Sequence, residues 1–157
     1  MGFQSSGDEL TPETALEQLG QATSKEDVLH VLHNVILHFI QAVLKAKADD
    51  ETKAKAIFYL GLIEDSFLVL NSAFYTITKF RFHGFTEERL RNFMITHIAA
   101  LIRMYAKVKY GNPLEDVVDG LEFVATIMHA LIDEYNMFVG SKIDELLNEL
   151  ESITAKE

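Results

Sequence analysis

The chain has 157 residues, 48% of them hydrophobic, and carries 24 acidic against 14 basic side chains for a formal net charge of −10. That length and apolar content fit one folded domain with its own core and argue against disorder, while the charge repels a polyanion such as DNA and disfavours RNA. The absence of cysteine removes disulfides, thiolate metal sites and cysteine nucleophiles, and suits a reducing cytoplasm, which is the location expected.

Residues 1–9 show no periodicity and are expected to be disordered; residues 10–154 are expected to form a single helical domain. Thr11 caps a short first helix with Pro12 at its first position, Leu16 and Leu19 as apolar points and Gly20 as its stop. Ser24, with Asp27 three residues on, starts a second helix that runs to about Lys47. Its polar stripe is Asp27, His30, Asn34, His38, Gln41 and Lys45. A third helix begins at Asp49-Asp50 and is expected to continue to Phe82, where His83-Gly84 stops it. Thr86 caps a fourth helix, which Gly111 ends. Asn112-Pro113-Leu114-Glu115 then restarts the chain into a fifth, whose stripe from Leu114 through Val139 to Leu150 steps by three and four. Gly140-Ser141, followed by Asp144, offers a place to break that helix and recap a terminal extension.

Acids open these helices and bases close them. Lys45 and Lys47 precede Asp49 and Asp50, Lys79 and Arg81 precede Glu87 and Glu88, and Lys107 and Lys109 precede Glu115 and Asp116. This arrangement offsets the helix dipoles, so the charge reads as punctuation and not as a binding patch. No segment alternates with period two. The expected fold is all-α, an up-down-up-down antiparallel four-helix bundle with a short additional N-terminal helix and a kinked C-terminal extension.

The stretch Ala56 to Thr78 organises this fold, because it is apolar around most of its circumference and must be covered on two sides. Glu64 and Asp65 near its middle argue against a membrane span. Consecutive on a helix, these two acids diverge by about 100° and do not make a facing catalytic pair. Their expected role is a solvated or base-paired stripe.

His97 falls within the apolar face of the fourth helix, and folding at the short turns brings Asn71 to its level, which makes the two a candidate buried polar layer. No metal site is expected: Glu-x-x-His is absent, His30 and His38 are two turns apart, and His129 and Asp133 lie on a polar stripe. No cofactor motif is found. Arg91-Asn92-Phe93-Met94-Ile95-Thr96-His97 resembles the Arg-x(4–6)-His motif of HEPN domains, all-α bundles of which many are dimeric, metal-independent ribonucleases. The resemblance spans these seven residues and would give Arg91 the scissile phosphate and His97 the proton transfer. A further reading is a carrier that holds a small apolar ligand between helices lined by Phe58, Phe67, Phe74, Phe93 and Phe123.

The leading expectation is a non-enzymatic interaction or oligomerisation module, partnered by a second copy or by another helical protein. It rests on excess apolar surface together with the lack of a convincing catalytic constellation; the chain beyond Gly140, which overhangs the bundle, carries Ile143, Leu146, Leu147, Leu150 and Ile153 on one face. Either that face folds back onto the first helix, or it pairs with the same segment of a second chain.

Overall fold

The computed structural model of the protein describes residues 10–155, so the expectation for residues 1–9 lies outside the described residues. Among them are six α-helices and one 3-10 turn: α1 (Pro12–Gln21), α2 (Lys25–Lys45), α3 (Asp50–Ser72), α4 (Phe74–Lys79), the turn Phe82–Gly84, α5 (Glu87–Lys109) and α6 (Glu115–Ala155). No strand occurs among the described residues.

The caps do what short polar side chains do at helix starts. Thr11, Ser24, Asp49 and Thr86 each accept a hydrogen bond from the backbone N–H three residues on, at 3.0, 3.1, 2.7 and 3.2 Å. The Asp27 carboxylate accepts from the Thr23 N–H at 3.2 Å. Bonds from Thr52 and from Thr23 hold the Asp49 and Asp27 carboxyls below their usual range. At the other end of α5, Gly111 at φ +97° turns the chain left-handed while the Asn112 N–H returns to the Lys107 carbonyl at 2.9 Å.

Packing then follows the apolar faces. α2 lies between α3 and α5, α3 packs chiefly on α6 and α2, and α1 docks on α5 and α2. One core joins them, with Val28, Leu32, Val35, Phe39, Leu60, Ile63, Phe67, Met94, Ile98, Leu101, Leu121 and Met128 all fully buried. The expected two-sided cover of the third helix is supplied by α2 and α6, but it is incomplete, because Phe58, Leu68 and Val69 remain exposed on the outward face.

Three expectations about element boundaries are corrected. The third helix does not run unbroken to Phe82: it ends at Ser72, and Ala73 (φ −91°, ψ 3°) turns the chain into the short α4. The stop lies earlier than His83-Gly84, at Arg81, which is left-handed at φ +54°, followed by His83 at φ +52°. Gly140 does not break α6, which is helical through to Ala155, because a single glycine weakens a helix by only about 1 kcal/mol and a long ladder absorbs it. α1 also buries a different face, with Pro12, Ala15 and Leu19 inward and Leu16 exposed.

Helix lengths set the shape. α2, α3 and α5 have 21–23 residues, about 32–35 Å, whereas α6 has 41 residues, about 62 Å. The end of the packed body is closed by aromatics: the Phe82 ring lies 5.6 Å from Tyr135 and 5.2 Å from Phe138, and Phe80 lies 6.1 Å from Phe138. His83 Nε2 bonds Glu134 at 2.7 Å, and Lys142 Nζ sits 5.9 Å above the Phe80 ring. The body therefore stops at the level of Lys142.

Gly120 and Gly61 both interrupt helices, for different reasons. A Cβ at Gly120 would meet Met104 Sδ at 2.9 Å, so glycine there permits close approach of α5 and α6, whereas a Cβ at Gly61 would meet nothing within 4 Å. Gly61→Ala is expected to raise stability by about 0.5–1 kcal/mol in urea unfolding, through helix propensity alone.

The Tyr110 hydroxyl donates to Glu13 at 2.8 Å and ties α1 to the end of α5. That bond lowers the Glu13 pKa and raises that of Tyr110. The Glu13 contribution is present above its usual value of 4.5 and is lost as pH falls through its lowered folded value. The Tyr110 contribution is present below 10.0 and is lost as pH rises through its raised folded value. Urea midpoints of Tyr110→Phe measured across pH are expected to lack both of these small dependences.

Candidate interaction surface

The residues with chemical potential are dispersed. On α5 the buried arc is Leu90, Met94, Ile98, Leu101, Ile102, Tyr105 and Val108, centred on Ile98. His97 sits at the rim of this arc and is half-buried, not in the middle of it as the sequence suggested. Its Nδ1–H donates to the Phe93 carbonyl one turn earlier at 2.8 Å, and its ring lies 4.3 Å from that of Phe93. Asn71 is also half-buried, and its Oδ1 is enclosed without a hydrogen-bond partner, so the two candidates do not form the anticipated polar layer.

Arg91 is half-buried on the same helix as His97. Six residues of α-helix separate the two by about 120° around the axis and about 9 Å along it. Within one chain they do not converge on a single reacting atom.

The remaining histidines are paired singly and do not cluster. His33 Nδ1 donates to Glu64 at 2.9 Å, joining α2 to α3, so Glu64 has a histidine partner where a lysine or arginine was expected. Asp65 points to solvent, and the two acids diverge. His38 Nδ1–H donates to the Asn34 carbonyl at 2.9 Å, and His129 lies 3.6 Å from Asp133 on an exposed face. Among the described residues no three His, Asp or Glu side chains are grouped so as to hold a metal ion.

A cavity of about 470 Å³ opens where the ends of α2 and α5 meet the start of α6, lined in part by His38, Gln41, Lys45, Tyr105, Val108 and Asn112. The five phenylalanines proposed for an apolar carrier do not line it: Phe67 and Phe74 are buried, Phe93 packs on Phe85, and Phe58 and Phe123 face outward. α2 matches a membrane span in length and composition alone, and its apolar side is the one packed against α3 and α5.

The largest run of unburied apolar side chains is on α6 beyond Lys142. Ile143, Leu146, Leu147, Leu150 and Ile153 are each between 50% and 64% exposed. Helical periodicity places them there by continuation. Ile143, Leu146, Leu150 and Ile153 each follow, by eighteen residues, a side chain on the packed side of α6: Ala125, Met128, Ile132 and Tyr135. Eighteen residues are five full turns, so the tail extends the same face that the body buries. Of the two covers expected for it, folding back onto the first helix does not occur: α6 stays helical through Gly140, the tail face is exposed, and α1 packs on α5 and α2 instead.

No protein-family model, no curated protein and no solved structure matches the chain.

His97→Ala is expected to cost about 1 kcal/mol in urea unfolding, the worth of one ring contact and one local hydrogen bond. A loss above about 3 kcal/mol would mean a buried ring and overturn the rim assignment.

Proposed function

We propose that this protein is a non-enzymatic helical interaction module that associates with a second copy of itself through the projecting C-terminal part of α6. The observation that carries this reading is the set of five large apolar side chains on the tail, half or more exposed on a helix that nothing among the described residues covers. Fully burying each is worth roughly 1.5–3 kcal/mol, and an isolated helix of this length is marginal in water, so both the face and the helix gain from a partner. The four long helices are read as a bundle reversing direction at each connection, with α3 and α5 at opposite corners, since each packs on α2 but they share no comparable face. That bundle serves as the rigid base from which the tail projects.

The polar chemistry agrees with this role. His33, His38, His83 and His97 are engaged in hydrogen bonds within the fold, and Arg91 and His97 stand on different sides of α5. The tail is acidic, with Asp144, Glu145, Glu149 and Glu151 against Lys142, which favours a protein partner over an anionic lipid surface or a nucleic acid.

Light scattering at high micromolar concentration is the test. The wild type is expected to be a dimer and the Leu146→Glu, Leu150→Glu double variant a folded monomer. A monomeric wild type would end the self-association reading. A dimer that survives the double substitution would move the interface onto the exposed Phe58, Leu68 and Val69 of α3.

A further inference from the structure

We infer that the two tails pair antiparallel, with the two-fold axis near Asn148, so that the packed bodies lie at opposite ends of a shared two-helix rod; this rests on the self-association proposed above. Three features of the molecule converge on that arrangement.

The first is the side on which the tail is apolar. Because Leu146 lies five turns below Met128 and Ile143 five turns below Ala125, a helix docked on the tail occupies space directly beneath the body. In a parallel pair, each chain's body would sit on the side of its own helix that faces the partner, and the two bodies would claim the same volume. Reversing one chain carries its body to the far end and removes the conflict.

The second is length. The body is closed at Lys142, whose ammonium lies above Phe80 and Phe138, and the described helix ends at Ala155. The projecting part, 143–155, is thirteen residues, about 20 Å. With the axis near Asn148, Ala155 of an antiparallel partner comes to the level of Ser141, beside the end of the body, so that the whole exposed stretch is covered. Shifting the partner one heptad inward drives its tip into the aromatic end of the body, and shifting it one heptad outward leaves Ile143 and its surroundings uncovered.

The third is the side-chain pattern at that register. Ile143 meets Ile153 of the other copy, Leu146 meets Leu150, and the two-fold repeats both layers, so four consecutive layers are apolar on both sides. Leu147, outside the strict three-four stripe, falls beside the axis and flanks its own counterpart, which accounts for an exposed leucine that a single helix does not explain. Glu149 also faces its counterpart near the axis, so Glu149→Gln is expected to tighten the dimer.

The cysteine-free chain allows a direct test on the full-length protein. Leu146→Cys and Leu150→Cys are made as separate variants at exposed positions and oxidised under mild conditions, alone and as an equimolar mixture. Antiparallel pairing at this register predicts few disulfide dimers from either variant alone and up to half of the protein crosslinked in the mixture, at 146 to 150. Efficient crosslinking of each variant by itself would indicate parallel in-register pairing and overturn the inference while leaving self-association standing. A scattering dimer with no crosslink in any sample would overturn the register. A monomer by scattering would remove the self-association reading itself.

Discussion

The aromatic closure around Phe82 decides where this molecule ends and where its surface begins. Two residues in left-handed conformation, Arg81 and His83, swing the chain beneath the bundle so that Phe82 is inserted against Tyr135 and Phe138. Left-handed backbone is unfavourable for residues other than glycine, and here the buried ring and the His83–Glu134 bond hold it in place. Above this closure the apolar stripe of α6 is packed, chiefly on α3 and also on α5; below it the same stripe meets nothing among the described residues. The boundary between the packed and the exposed apolar face of α6 is thus set by one turn, although the helix that crosses it does not change in character.

That continuity is the central physical fact about α6. A face with a five-turn repeat is carried from Val117 to Ile153, but the other long helices cover it only to about Val139. Apolar side chains along 143–155 are exposed because no other described element reaches them, not because the sequence turns polar. The helical hydrogen-bond ladder runs uninterrupted through Gly140, so the tail continues the helix that the bundle packs.

The polar groups are spent in holding the fold. His33 and Glu64 link α2 to α3, His83 and Glu134 link the lower turn to α6, and Tyr110 and Glu13 secure α1. The Tyr105 hydroxyl reaches the Leu10 carbonyl and anchors the chain ahead of α1. Each of these joins segments distant in sequence, and none forms part of a converging cluster. Asn71 is the departure, with an enclosed amide oxygen at the bend between α3 and α4 that finds no partner.

The sequence by itself determined the helices, because their signals are local. Thr11, Ser24, Asp49 and Thr86 name the starts, Gly111 names one end, and the three-four stripe of the last helix identifies the buried face and its continuation to Ile153. What it could not decide were features that depend on neighbours. The break at Ala73 and the left-handed Arg81 arise from docking Phe82 under the bundle, and no local pattern marks them. His97 and Ile98 differ by one position on the helix wheel, and only the placement of α2 and α6 makes Ile98 the centre of the buried arc. Gly140 reads as a breaker in isolation, yet a break requires a tertiary contact to reward it, and α1 is committed to α5 and α2. Local propensity fixes where helices can form; the competition of apolar faces for neighbours fixes which of them stays exposed.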